Sequence, residues 1–152
     1  MSEDSFPIAV IMQRDALDNR WASERWQAIG AVPDLDEGAV AQQIIFDAGR
    51  QSQALFRGFR IKLVRDEAHG YYLNVSTGEP KVFVLWRMIE DIAKPVYVTA
   101  SYAEAARWMD GGETVDAVPM PIEMCDWVAQ FVQQNYRPEE LAKNKRKRER
   151  YR

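Results

Sequence analysis

The segment Asp66-Glu67-Ala68-His69-Gly70 holds the densest group of titratable side chains in the sequence. Two carboxylates beside an imidazole, whose ordinary pKa lies near neutrality, could act as a general acid and base. The same residue types also make a charged hairpin turn, in which Gly70 would supply a positive φ. We favour the turn, which leaves Asp66, Glu67 and His69 as the alternative candidate for a substrate pocket.

Zinc, haem and iron–sulfur sites draw on several histidine or cysteine ligands. This sequence has one of each, His69 and Cys125. EF-hand spacing and the glycine-rich nucleotide motifs are also missing. We therefore predict no catalytic residue, no metal and no cofactor, with an oxygen-ligand Mg²⁺ or Ca²⁺ site left open. Cys125 lies near the start of a predicted helix, which favours a reactive thiolate, but toward its apolar stripe, where cysteine usually packs as a small hydrophobic side chain.

Two tryptophans stand beside arginines at positions outside the predicted apolar faces. Trp21 follows Arg20 in a polar connection before the second strand, and Trp108 follows Arg107 at the flank of a helical stripe. Half-exposed aromatic side chains next to arginine are common anchors of protein interfaces. These four residues are candidate interface residues, although core packing is the ordinary role of a tryptophan.

Charge is divided unevenly along the chain. Residues 143–152 carry a net charge of +6 and the residues before them −9, which gives −3 in total. Lys145, Arg146, Lys147 and Arg148 could neutralise nucleic-acid phosphates, but the acidic body would repel a duplex. We interpret residues 138–152 as a disordered solubilising tail or a flexible docking arm.

The elements that must position these residues are strands first and helices afterwards. Phe59, Ile61 and Leu63 alternate with Arg60 and Lys62, as expected of a half-buried strand. Apolar runs predict the other strands, and the total is about six. Six predicted strands are 8–12, 26–32, 59–63, 71–75, 82–86 and 96–100, and residues 44–46 could form a short additional strand.

Two helices are predicted in the last third of the chain. Ser101 and Glu104 have the spacing of a capping box, in which each side chain bonds the other residue's amide. Pro121 suits the first position of the second helix. We therefore predict an α+β domain over residues 1–137, with a mainly antiparallel sheet or open barrel of about six strands covered by two C-terminal helices.

The chain has the composition of a protein with a substantial core, since 47% of its residues are hydrophobic. Its first seven residues are acidic and carry no basic segment typical of a signal peptide. No apolar run is long enough to span a bilayer, and a single cysteine forms no internal disulfide. These features predict a cytoplasmic location.

Several stretches are similar to those of a known family. They are residues 19–21, 26–30, 71–74, 98–106 and 118–121, together with Trp127-Val128 and Phe131-Val132. Together they resemble a bacterial domain of unknown function, family 3305, over about residues 6–150. The resemblance implies a Lys/Arg-rich tail and brings no catalytic residues. It also implies an accessory or maturation role, because genes of this family often lie near those of molybdenum-dependent formate dehydrogenase.

The leading hypothesis is a non-enzymatic accessory protein that binds another protein. The resemblance implies a formate dehydrogenase subunit or maturation factor as that partner. The first alternative is a small-molecule-binding protein or enzyme with a pocket inside the barrel, near Asp66 to His69. The second alternative is a regulator that binds nucleic acid through the basic tail.

Overall fold

The computed structural model describes residues 5–36 and 40–138, and its strands form two antiparallel sheets. The first sheet contains β1 (Ser5–Ala16), β2 (Glu24–Pro33), β3 (Gln42–Asp47) and β4 (Gln51–Lys62), in the order β2-β1-β4-β3. The second sheet contains β5 (Lys81–Ile89), β6 (Ile92–Thr99) and β7 (Thr114–Pro119), in the order β6-β5-β7. The helices are α1 (Ala68–Val75), α2 (Tyr102–Asp110) and α3 (Ile122–Asn135), and a 3-10 turn, Arg65–Glu67, precedes α1.

The α+β class and the antiparallel pairing are confirmed, whereas the prediction of one sheet or an open barrel of about six strands is wrong. Seven described strands are divided between two sheets that do not close on one another. The division follows from the connection between β4 and β5. Residues 63–80 fold into the 3-10 turn and α1 instead of a strand, so the hydrogen-bonded ladder is interrupted there.

The helix α1 replaces a predicted strand at residues 71–75. Ala68 and Tyr71 are buried and Val75 packs against the core, a spacing of three and then four residues that suits one face of a helix. The prediction of only two helices is therefore also wrong. Both predicted C-terminal helices are present as α2 and α3, and α1 is a third.

The predicted last strand, residues 96–100, corresponds to β6, but β7 follows it between α2 and α3. The whole of β7 pairs with the first six residues of β5, from Lys81↔Pro119 to Trp86↔Thr114. This pairing makes β5 the central strand of its sheet, as its continuous apolar run predicts.

The core lies between the two sheets and under α3. The first sheet contributes Phe6, Ile8, Val10 and Met12 from β1, and the second contributes alternate residues of β5. Met124 and Val128 of α3 are fully buried in the same cluster. Because the core takes the even-numbered residues of β1, the odd-numbered residues of that strand lie on the opposite face of the sheet.

The predicted capping box at the start of α2 is half formed. Ser101 Oγ accepts a hydrogen bond from the Glu104 amide at 3.0 Å. The Ser101 amide donates to Thr99 Oγ1, also at 3.0 Å, instead of to Glu104. Helix α3 starts one residue later than predicted, because Pro121 is its N-cap.

Candidate functional site

Glu67 ends the 3-10 turn and joins it to the start of α2. Its Oε2 accepts a hydrogen bond from Ser101 Oγ at 2.5 Å, and its Oε1 forms an ion pair with Arg107. Ser101 is fully buried, so its hydroxyl is closed to a substrate. Both carboxylate oxygens therefore bind neighbouring elements, which is the arrangement of a structural contact.

His69 and Asp66 belong to different surroundings from Glu67. The His69 Nδ1 lies 3.0 Å from the Tyr136 hydroxyl, just beyond the end of α3. The Tyr136 ring stacks on Tyr72 of α1 with 4.5 Å between ring centroids. Asp66 is exposed. The three residues are neighbours in sequence, but the hydrogen bonds direct Glu67 toward α2 and His69 toward the end of α3.

Gly70 lies inside α1, and the expectation that it supplies a positive φ to a hairpin turn is wrong. Its role is close packing. A Cβ atom placed on Gly70 would lie 2.1 Å from Ser101 Oγ and 3.2 Å from the Ala103 amide nitrogen. The start of α2 thus approaches α1 at a point where only glycine leaves enough space.

We expect Glu67→Gln to lower the free energy of unfolding by about 1–3 kcal/mol, because it removes the charge that binds Arg107 and weakens the bond from the buried Ser101 hydroxyl. Chemical denaturation measures this change. Asp66→Asn is the matched control, since Asp66 is exposed and its replacement should cost little. Equal stability of the two variants would contradict the Glu67 contacts.

A cleft of about 370 Å³ lies at a bulge in β4, away from the predicted pocket. Gly58 is at φ 93° in this bulge, and the Asp34 carboxylate accepts hydrogen bonds from Arg57 at 2.8 Å and from the Gly58 amide at 3.3 Å. Asp34 therefore fixes the bulge with both oxygens. The residues that line the cleft are Pro7, Asp34, Asp36, Ala41, Arg57, Gly58, Phe59 and Arg60, and none belongs to the 66–69 segment.

The outer face of the first sheet carries two adjacent rows of uncharged residues. The registers of the three strand pairs align Gly30, Ile11, Leu55 and Gln43 in one row, and Gln27, Gln13, Gln53 and Phe46 in the next. None of these side chains joins the core cluster, and Leu55, at 8%, is the least exposed of them. Uncharged side chains surrounded by charged ones are typical of the centre of a protein interface.

Hydrogen bonds hold Gln13, Gln51 and Gln53 in place on this face. Gln53 Nε2 donates to Gln13 Oε1 at 2.9 Å, and Gln13 Nε2 donates to Asp15 Oδ2 at 3.1 Å. Gln51 Nε2 donates to Asp15 Oδ1 at 2.9 Å. The bonds from Gln51 and Gln13, with a smaller contribution from Arg25, lower the pKa of Asp15. A face with ordered polar groups has less side-chain entropy to lose on binding.

Trp21 is at the tip of the β1–β2 hairpin, where 85% of its surface is exposed. Asn19 Oδ1 accepts hydrogen bonds from the amides of Trp21 at 2.7 Å and Ala22 at 3.0 Å, which fixes the turn. The Arg20 guanidinium lies 5.8 Å from the centre of the indole ring. The turn therefore presents a large apolar side chain and an adjacent cation to solvent.

The tip of the β3–β4 hairpin lies next to this turn. Arg50 forms an ion pair with Asp18 at 3.0 Å, and its carbonyl oxygen accepts a hydrogen bond from the Ala16 amide at 2.7 Å. We call Asp18, Arg20, Trp21 and Arg50 the tip surface. It adjoins the same end of the sheet as the row of Gln13, Gln53 and Phe46.

Trp108 and Arg107 have neighbours within the fold. Trp108 is half-buried, with its ring centre 6.3 Å from that of Tyr97 in β6, and Arg107 pairs with Glu67. Of the two Arg–Trp pairs, Arg20 and Trp21 are the more exposed. Lys145, Arg146, Lys147 and Arg148, like the rest of the tail from residue 139, lie outside the described residues.

The comparison with protein families gives a match over nearly the whole chain. A family described as Protein of unknown function (DUF3305) matches residues 7–147. The chain belongs to the DUF3305 family. Neither the curated proteins nor the solved structures contain a match. The matched range includes the tip surface, the two uncharged rows and the contacts of Glu67 in this DUF3305 protein.

The Cys125 thiol of this DUF3305 protein is half-buried in α3. Burial, and next the nearby Asp126 carboxylate, raise its pKa, so the thiol stays protonated at neutral pH. Within residues 5–36 and 40–138, no cluster of three or more histidine, cysteine or acidic side chains is placed to hold a metal. No helix in that part of the chain has the length and apolar character needed to cross a bilayer.

The glutamine network was not found by sequence reasoning. Its members, Gln13 and Asp15 on β1 and Gln51 and Gln53 on β4, are each two residues apart, which places both members of a pair on one face of a strand. That spacing was the available signal. The spacing does not indicate the network from the sequence alone, because these four residues lie outside the predicted strands 8–12 and 59–63. In the structure, β1 extends to Ala16 and β4 begins at Gln51.

Proposed function

We propose that this DUF3305 protein is a non-enzymatic accessory protein that binds another protein through the tip surface and the adjoining uncharged rows. The observation that carries the proposal is Trp21, an 85% exposed indole beside Arg20 on a turn that Asn19 fixes. Burying roughly 200 Å² of aromatic surface would contribute on the order of 5 kcal/mol before the costs of association.

The distribution of charge supports this surface as an interface. The two rows are uncharged, and the charge pairs Asp15–Arg25 and Asp18–Arg50 flank them at the hairpin-tip end of the sheet. Rim charges in such pairs favour partner selection and encounter more than affinity. The affinity is then expected to rest on Trp21 and on the apolar side chains Ile11 and Phe46.

The contacts of the titratable segment favour binding over catalysis. Glu67 bonds a buried hydroxyl and an arginine, and His69 bonds a tyrosine hydroxyl. A general acid or base must reach the proton of a substrate. The hydrogen bonds of Glu67 and His69 are instead made to other residues of the fold. Among the described residues, the alternative of a substrate pocket near Asp66 has no comparable supporting contact, and the tail that would bind nucleic acid lies outside them from residue 139.

The partner class comes from the family resemblance. It implies a subunit of molybdenum-dependent formate dehydrogenase or one of its maturation factors, and we propose this class as the first to test. An affinity pull-down from the native host grown with formate should recover such a protein with the wild-type chain. The Trp21→Ala bait, prepared in parallel, should recover much less of the same protein.

We expect Trp21→Ala to weaken binding to the recovered partner by at least 2 kcal/mol, about thirtyfold, as measured by titration calorimetry with purified proteins. The melting temperature should not change, since the indole is mostly in solvent. Trp108→Ala is the matched control and should lower stability more than affinity, because Trp108 is half-buried against Tyr97.

Loss of function in the titratable variants, with Trp21→Ala silent, would contradict the proposal. If His69→Ala and Glu67→Gln abolish function in cells, while Trp21→Ala has no effect and partner binding survives, the acid/base hypothesis replaces ours. The stability of each variant must be measured at the same time, because Glu67→Gln is expected to weaken the fold.

A further inference from the structure

The strand β3 has an unusual surface for an edge strand. It pairs with β4 on one side, and all six of its residues are exposed. Ile44 is 68% exposed, and Ile45 and Phe46 are each 44% exposed. Neither face of the strand is therefore covered, and its outer edge presents backbone amides and carbonyls that an added strand could pair with.

Two of the other three edge strands, β2 and β6, are protected. The edge strand β2 donates its Ala28 amide to Asp116 of β7 at 2.8 Å, so a side chain of the second sheet caps it. The edge strand β6 carries Lys94 and Pro95, residues that block the addition of another strand. The sequence of β3, Gln42-Gln43-Ile44-Ile45-Phe46-Asp47, contains neither lysine nor proline.

The sequence of β3 is complementary to itself when two copies run antiparallel. When the two-fold axis passes between Ile44 and Ile45, Ile44 of one copy faces Ile45 of the other. Gln43 of one copy then faces Phe46 of the other. Asp47 then faces Gln42, whose amide can donate to the carboxylate. A parallel pairing in register would instead place the two Asp47 carboxylates side by side, which is unfavourable.

We propose that β3 pairs with β3 of a second copy of this chain around a two-fold axis. The pairing would join the two four-stranded sheets into one sheet of eight strands, with the uncharged rows continuing across the junction. Ile45 forms a bulge against β4, and bulges weaken an edge as a template. The contact is therefore short, and we expect a dimer with a Kd on the order of micromolar.

Sedimentation velocity tests the proposal. The full chain is measured at concentrations below and above the expected Kd. The weight-average mass should rise from 17.6 kDa toward about twice that value. Ile45→Lys, which places charges next to the axis, should weaken the dimer at least tenfold. The matched control is Ile122→Lys, which changes an isoleucine of α3 that is 79% exposed and should leave the dimer intact.

A mixing experiment tests the register. Residue 45 of one copy faces residue 44 of the other, so Ile45→Lys and Ile44→Glu should each be monomeric alone and dimerise when mixed. Circular dichroism checks that both variants are folded. A wild-type chain that stays monomeric, a dimer that Ile45→Lys does not weaken, or a mixture that fails to dimerise would each overturn the proposal. Trp21→Ala should leave the dimer unchanged, so this test is independent of partner binding.

Discussion

Replacing Asn74 with alanine is expected to lower the free energy of unfolding by about 3–5 kcal/mol. Asn74 is 2% exposed, and its amide nitrogen donates to the carbonyl oxygens of Lys81 at 2.7 Å and Ala100 at 2.9 Å. Its Oδ1 accepts a hydrogen bond from the Lys81 amide at 2.8 Å. The truncated side chain would leave three backbone groups without these bonds, at the point where α1 meets β5 and the end of β6.

Urea denaturation measures the loss in the free energy of unfolding. Two further variants test whether that loss comes from the hydrogen bonds of Asn74. Asn74→Asp keeps the shape but sets a carboxylate against two carbonyl oxygens, so it should be at least as harmful as alanine. Asn135→Ala also removes an amide with hydrogen bonds, to Phe131 and Arg65, but near the surface, and should cost about 1 kcal/mol. Similar costs for Asn74→Ala and Asn135→Ala would contradict the role of Asn74.

Gly70→Ala is expected to destabilise the protein by about 2–4 kcal/mol, the cost of forcing an atom into packed surroundings. The sign of the change in the free energy of unfolding is informative, because Gly→Ala inside an unconstrained helix stabilises the helix by about 1 kcal/mol. The new Cβ would lie 2.1 Å from Ser101 Oγ and 3.2 Å from backbone, so α1 and α2 must move apart.

Gly111→Ala is the control, since its Cβ would lie no closer than 3.4 Å to its neighbours and its φ is −79°. It should change stability by less than about 1 kcal/mol. Combining Gly70→Ala with Ser101→Ala removes the closest contact, so the double variant should cost less than the sum of the two single changes. Additive costs would show that the two residues do not touch.

Period-two alternation and apolar runs located six of the seven strands, including all four of the first sheet. Five of these six have one face in the core, and burial is what the alternation records. The exception is β3, which is exposed at all six residues and is indicated only by its apolar run Ile44-Ile45-Phe46. The strand β7 was not predicted, because it has almost no buried face. Only Val118 of its six residues is buried, so its sequence carries little periodic signal and its place in the sheet depends on pairing with β5.

The helix α1 shows how tertiary contacts override local preference. Tyr71, Tyr72 and Val75 favour strands by residue type. In the fold, Tyr71 packs edge-on against Phe131 and its hydroxyl accepts a hydrogen bond from the Val64 amide, while Asn74 bonds two strands. These partners lie outside α1 in the sequence, so the sequence of the segment alone could not indicate them.

The candidate site was predictable to a similar degree. The polar residues around Trp21 indicated a side chain outside the core, and the indole is at a hairpin tip. The neighbourhood of that tip was not predictable, because the ion pair of Arg50 with Asp18 depends on strand order. The charged segment at Asp66 to His69 illustrates the opposite case, since its spacing resembles a reactive group and its contacts are structural.

Each sheet is built from one continuous stretch of chain, residues 5–62 for the first and 81–119 for the second. During synthesis on the ribosome, the first sheet can therefore pair before the second has emerged. Its inner face, with Phe6, Ile8 and Val10, would stay uncovered until the second sheet and finally Met124 and Val128 of α3 arrive. A nascent chain arrested before residue 122 should expose this apolar face and bind chaperones, whereas one that extends past residue 135 from the exit tunnel should not.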